Sequence, residues 1–82
     1  MSIQEIIELY KRDEFPTNVD DLGRMQAKVD DYAKSSLELA HAAEDPDDKQ
    51  VHLNQHVEYI SVSGYLDYKI RKALNMEGGA LL

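Results

Sequence analysis

A proline within an acidic run, Glu44-Asp45-Pro46-Asp47-Asp48, separates two long stretches of helical periodicity. Pro46 cannot lie inside a helix, because its ring clashes with the preceding turn and it has no N–H to donate. It suits the first position of a helix, where Asp45 would be the N-cap and the following acids would face the positive end of the helix dipole. The sequence therefore predicts a helical hairpin, in which one helix ends near Ala43 and the next begins at Pro46.

Local signals predict where the other helices begin and end. Ser2-Ile3-Gln4-Glu5 matches the capping box that starts a helix, and Asp13-Glu14-Phe15-Pro16 stops it. Thr17 or Asn18 can cap a second helix, and Gly78-Gly79 follow the third. The predicted helices span about 3–12, 18–43 and 46–75, with a frayed tail over 76–82. We thus predict a single all-α domain, made of a short N-terminal helix and a long antiparallel helical hairpin.

The third predicted helix has apolar stripes on two sides. One stripe consists of Leu53, Val57, Ile60 and Gly64. The other consists of Tyr59, Val62, Leu66, Ile70 and Ala73. The second helix has one apolar face and cannot cover both stripes, and the short first helix covers only part of the second stripe. Two hairpins in a four-helix bundle would bury the rest. We therefore expect a homodimer or higher oligomer, held together through the stripe that contains Leu66 and Ile70.

The composition limits the classes of function. With 43% apolar and 30% charged residues, the chain has the composition of an ordinary soluble domain. A net charge of −7 disfavours binding to nucleic acid or an anionic membrane and favours a basic protein partner. There is no cysteine, which excludes disulfides and thiolate metal sites. No apolar run is long enough to span a membrane, and the first residues lack the pattern of a secretory signal, so we expect a cytoplasmic location.

The histidines are the candidate metal ligands. Glu38 and His41 have the i, i+3 spacing of di-metal bundles, and His52 and His56 have the i, i+4 spacing that can chelate one ion. The third helix lacks a second Glu-x-x-His, and the residues between His52 and His56 lack the metalloprotease glutamate. We therefore predict no metal at these three histidines and no cofactor, and retain a metal-binding bundle as an alternative.

Acidic and tyrosine side chains are the candidate functional groups. The sequence has no nucleophile motif, no glycine-rich phosphate loop and no isolated acid on an apolar face, so we predict that it is not an enzyme. Tyrosine suits a protein interface, because its ring buries apolar area while its hydroxyl stays in water. Ordinary packing at the edge of a bundle explains the tyrosines equally well. The predicted protein-interface residues are Tyr59, Val62, Tyr65, Leu66, Tyr68, Ile70, Asp47 and Asp48.

The layout from Met1-Ser2-Ile3-Gln4-Glu5-Ile6-Ile7 through the acidic turn to Gly78-Gly79 resembles the cytoplasmic lysis-inhibition proteins of T-even bacteriophages. The resemblance covers the whole chain and contains no diagnostic motif, so it transfers no site residues. It implies a regulatory antiholin that binds the cytoplasmic part of a holin and delays lysis. A second hypothesis is an acidic decoy that occupies the nucleic-acid-binding groove of another protein, and a third is the metal-binding bundle.

Overall fold

The computed structural model describes residues 1–77, which form three helices. These are α1 (Ile3–Arg12), α2 (Val19–Ala42) and α3 (Pro46–Glu77). The two long helices pack against each other as a hairpin, and α1 packs on the hairpin far from its turn. The predicted all-α fold, with its short first helix and long hairpin, is confirmed. α3 includes 76–77, which the sequence pattern placed in the tail, and the remainder of that tail lies outside the described residues.

Side-chain caps define the start of α1 and of α2. In α1 the hydroxyl oxygen of Ser2 accepts from the Glu5 N–H at 3.2 Å, and the Glu5 carboxylate accepts from the Ser2 N–H at 3.0 Å. In α2 the side-chain oxygen of Asn18 accepts from the Asp21 N–H at 3.1 Å, so Asn18 is the N-cap. Each cap satisfies an N–H that has no partner within its helix. The predicted capping box is confirmed.

At the hairpin turn, a side-chain cap again satisfies an N–H that has no partner within its helix. α2 ends at Ala42, and the N–H of Ala43, in extended conformation, still donates to the Leu39 carbonyl at 3.0 Å. The Asp45 carboxylate then accepts from the Asp47 N–H at 2.9 Å. Pro46 begins α3, where its missing N–H costs no helical hydrogen bond. The predicted break at Asp45-Pro46 is confirmed.

The large buried side chains lie at the end of the hairpin that α1 covers. All three helices and the first loop contribute to this core: Ile6, Phe15, Leu22, Met25, Val29, Val62 and Leu66. Towards the turn, the buried residues of α2 are the small Ala33, Ser36 and Ala40. The molecule therefore has three layers at one end and two at the other.

The structure reverses the predicted roles of the two stripes on α3. Val62 and Leu66 are fully buried, and Ile70 packs against the core. In contrast, Val57 and Ile60 of the other stripe are 63% and 50% exposed. The stripe that we expected to hold an oligomer together is thus the one that α2 and α1 cover.

Truncation of Leu66 tests this assignment. We expect Leu66→Ala to reduce the free energy of unfolding by about 2–5 kcal/mol, because it leaves a cavity in a fully buried site. Leu74→Ala is the matched control, since Leu74 is 50% exposed in the same helix. It should change stability by less than about 1 kcal/mol. Urea unfolding followed by circular dichroism measures both, and equal losses would contradict the assignment.

Candidate functional site

The structure separates the predicted interface residues into buried and exposed groups. Val62 and Leu66 are 0% exposed, because the other helices of the same chain cover them. Tyr59, Tyr65 and Ile70 are partly buried against the core. Tyr68, Asp47 and Asp48 are exposed. The sequence could not place Val62 and Leu66 correctly, because it did not reveal which side of α3 the other helices would cover.

Tyr65 connects the end of α1 to α3. Its hydroxyl donates to the carboxylate of Asp13, the C-cap of α1, which adopts a left-handed conformation with φ 53°. The Lys69 ammonium lies 3.6 Å from that carboxylate and 5.3 Å from the centre of the Tyr65 ring. One tyrosine thus joins residues that are 52 positions apart in sequence.

The electrostatics of this contact are those of a structural link. The hydrogen bond from Tyr65, with help from the Lys69 charge, lowers the pKa of Asp13. The same bond raises the pKa of the Tyr65 hydroxyl, and Tyr65 and Asp13 together raise the pKa of Lys69. Each shift favours the charge state that the group already has at neutral pH. The contact therefore supplies no proton donor or acceptor that titrates near neutrality.

Aromatic rings surround Tyr65. The centres of the Tyr10, Phe15 and Tyr68 rings lie 5.6, 5.9 and 6.0 Å from its own. These are ordinary distances for interacting aromatic pairs. Tyr68, at 54% exposure, is the outermost of the group. For Tyr65 and Tyr10, the interpretation as packing within the chain is therefore the better one.

A groove between α2 and α3 continues beyond the N-terminus of α1. The Lys28 ammonium of α2 donates to the Met1 carbonyl at 2.6 Å, and Tyr65 of α3 contacts Tyr10. On α2, Tyr32 and Leu39 follow Lys28 at helical spacing, so they lie on the face that α1 contacts. On α3, Val51 and Glu58 precede Tyr65 at heptad spacing, so they also lie on the face that α1 contacts. We call the surface formed by Tyr32, Leu39, Val51 and Glu58 the open groove.

Apolar side chains are exposed along the open groove. Tyr32, Leu39 and Val51 are 41%, 52% and 53% exposed. The centre of the Tyr32 ring lies 5.7 Å from that of Tyr59. This contact joins α2 to α3 near the N-terminus of α1. The sequence pattern did not reveal this surface, because it gives the second helix one apolar face and does not show how much of that face the other helices cover. The signal that could have revealed it is the shortness of α1 beside α2 and α3.

The stripe of Leu53, Val57, Ile60 and Gly64 forms a second exposed apolar surface, which we call the outer face of α3. Leu53 is partly buried, and the other three residues are exposed. A Cβ atom added at Gly64 would meet nothing within 4 Å. The outer face lies on the side of α3 away from the open groove.

The histidines of α3 bond to protein groups. Nδ1 of His56 lies 2.7 Å from the Ala33 carbonyl, to which it donates across the hairpin. Nδ1 of His52 lies 3.4 Å from the side-chain oxygen of Gln55. Among the residues that the structure describes, no group of three or more His, Cys, Asp or Glu side chains could hold a metal ion. His56 therefore contributes to the pairing of α2 with α3.

Comparisons of the chain with protein-family models, with curated proteins and with solved structures gave no match. The resemblance to phage lysis-inhibition proteins stays a prediction. Within residues 1–77, no helix has the length and apolar character needed to cross a membrane.

Removal of the Tyr65 hydroxyl tests the link between α1 and α3. In Tyr65→Phe we expect the pKa of Asp13 to rise towards its ordinary value, because the main group that stabilises its carboxylate is lost. A lowered carboxylate pKa contributes stability above the unfolded-state pKa, and that contribution disappears as the pH falls through the folded-state value. Tyr65→Phe should therefore be less stable than the wild type at neutral pH, and the difference should shrink in acid.

Side-chain carboxyl NMR titration measures the pKa of Asp13 directly. Tyr68→Phe is the matched control, because it removes a tyrosine hydroxyl from the same cluster and leaves the bond between Tyr65 and Asp13 in place. The same Asp13 pKa in the wild type and in Tyr65→Phe would show that the hydroxyl does not stabilise this carboxylate.

Proposed function

We propose that this chain is a non-enzymatic regulatory protein that binds a helix of another protein in its open groove. The observation that carries the proposal is the length of α1. It has 10 residues and fills one part of the groove between α2 and α3, whereas the molecule is 51 Å long. A partner helix placed end to end with α1 would cover Tyr32, Leu39 and Val51, as amphipathic helices do when they bind in apolar grooves.

The charge of the chain favours a basic partner. The turn beside the open groove carries Glu44, Asp45, Asp47 and Asp48, and Glu58 lies in the groove itself. The net charge of −7 would attract a basic helix at long range, which should raise the association rate, most strongly at low salt. We therefore propose a partner helix with an apolar stripe and with Lys or Arg near the end that faces the turn.

The specific form of this proposal is a cytoplasmic antiholin that binds the cytoplasmic part of a holin and so delays lysis. It rests on the resemblance to the lysis-inhibition proteins of T-even phages, and the acidic groove supports it by suiting a basic helical segment. Such a regulator acts by occupying its partner in stoichiometric amounts and needs no turnover.

A charge placed in the open groove tests the proposal. We expect Leu39→Glu to weaken binding to the cytoplasmic segment of a T-even holin by about tenfold or more, because the complex would bury a carboxylate among apolar groups. Leu74→Glu introduces the same charge at a residue of nearly equal exposure, away from the groove, and should change the affinity by less than about twofold. Isothermal titration calorimetry measures both affinities.

Different experiments test the general form of the proposal, which is helix binding in the open groove, and its specific form, which is the antiholin. Absence of binding by the wild type to the holin segment would reject the antiholin form. A photo-cross-linking residue at position 39, with one at position 74 as control, tests the general form in cells that express the native partner. Equal cross-linking from the two positions would reject the open groove as the binding surface.

A further inference from the structure

We propose that the outer face of α3 joins two copies of this chain as an antiparallel pair. Val57 and Ile60 are among the most exposed large apolar side chains of the described residues, at 63% and 50%. They lie next to each other at the middle of the outer face, between Leu53 and Gly64. The proposal is independent of the function proposed above, because the open groove lies on another side of α3.

The spacing of the outer face matches a coiled-coil seam. Its residues recur at alternating intervals of four and three, and polar Gln50 and Asp67 occupy the next positions before and after them. The apolar part is therefore short and centred between Val57 and Ile60. An antiparallel copy centred on the same point would place Ile60 opposite Val57 of the second copy, and Leu53 opposite its Gly64.

Gly64 supports the antiparallel arrangement. A glycine inside a helix costs about 1 kcal/mol relative to alanine. Packing within one chain does not require it, because an added Cβ would meet nothing within 4 Å. In an antiparallel pair, Leu53 of the second copy would lie over Gly64 and fill that space. A parallel pair would instead oppose two glycines and two leucines, which leaves a gap at one level and crowds the other.

The charges at the two ends of the outer face identify a second copy as the occupant. Asp47 and Arg71 are both exposed and lie roughly 36 Å apart along α3, at 1.5 Å per residue, so they cannot pair within one chain. The antiparallel register places Arg71 of one copy opposite Pro46 of the other, so that the neighbouring Asp47 flanks it at the edge of the seam. Within one chain, the Arg71 guanidinium lies 3.0 Å from the half-buried Asp67 carboxylate, and the exposed Arg71 side chain can reorient at little cost.

The size of the contact determines its expected strength. From Gln50 to Asp67 the outer face is roughly 26 Å long, and it is one helix wide. Such a surface is smaller than the interface of a typical tight complex. We therefore expect a pair that dissociates in the micromolar range and that forms as the protein concentration rises.

Sedimentation equilibrium over a range from low to high micromolar concentration tests the pair. The wild type should shift from monomer to dimer, and Ile60→Glu should remain monomeric throughout, with a dissociation constant raised about tenfold or more. Its helical circular dichroism should be unchanged, because Ile60 is half exposed in the single chain. Leu39→Glu, which alters an exposed leucine of α2 that lies outside this face, should still form dimers.

A charge exchange tests the antiparallel register. Asp47→Arg and Arg71→Asp should each weaken the dimer, since each creates like-charged neighbours, and the double variant should recover most of the loss. Asp48→Arg removes another acid from the first turn of α3, on a different side of the helix, and should have little effect on dimerisation. Because the double variant keeps the net charge of the wild type, its recovery reports on the pair and not on overall repulsion.

Three outcomes would overturn the inference. The first is a wild type that stays monomeric at every concentration, and the second is an Ile60→Glu variant that dimerises as the wild type does. The third is a double charge variant that dimerises no more tightly than the single variant with the weaker dimer. None of these results bears on binding to the open groove. Conversely, Leu39→Glu should weaken partner binding and leave the dimer intact, so each proposal can fail while the other holds.

Discussion

The short length of α1 determines which apolar surfaces this chain can bury. Ten residues of helix extend about 15 Å, whereas the molecule is 51 Å long. Where α1 lies, a third layer closes over α2 and α3 and excludes water from Val62 and Leu66. Towards the turn, Ala33 and Ala40 let the two long helices approach without a third layer, and larger apolar side chains remain outside. The buried core and the exposed apolar side chains of the open groove thus lie at opposite ends of one hairpin.

The contacts of α1 keep these two ends distinct. Tyr65 and Lys69 hold Asp13 at the C-terminal end of α1, and Lys28 holds the Met1 carbonyl near its other end. Together with the burial of Ile6 and Phe15, these bonds hold α1 at the end of the groove away from Leu39. The left-handed conformation of Asp13 stops α1 and starts the loop to Phe15, which closes the core. A change in the Tyr65 contact would therefore affect both the core and the extent of the open groove.

The sequence was sufficient for the hairpin because its signals are local. The Ser2 capping box, the Asn18 cap and the Asp45-Pro46 break each act within one helical turn. The choice between the two stripes of α3 was not local. Both stripes are apolar and repeat at helical spacing, and the covered one is fixed by contacts such as that between Asp13 and Tyr65, far apart in sequence. For this reason the sequence did not reveal that Val62 and Leu66 are buried within the chain. Exposure of Asp47 and Asp48 could be anticipated, since the polar first turn of a helix lies in water.

Both of the proposed contacts involve α3. The open groove and the outer face occupy different sides of this helix, so a pair joined through the outer face would keep both of its grooves accessible. Such a pair would present two binding sites at a fixed separation, and a partner that is itself oligomeric would gain affinity from binding both at once. Dissociation of the pair on dilution would remove that gain and leave each single groove unchanged. Regulation by this chain would then depend more steeply on its concentration than one-to-one binding allows.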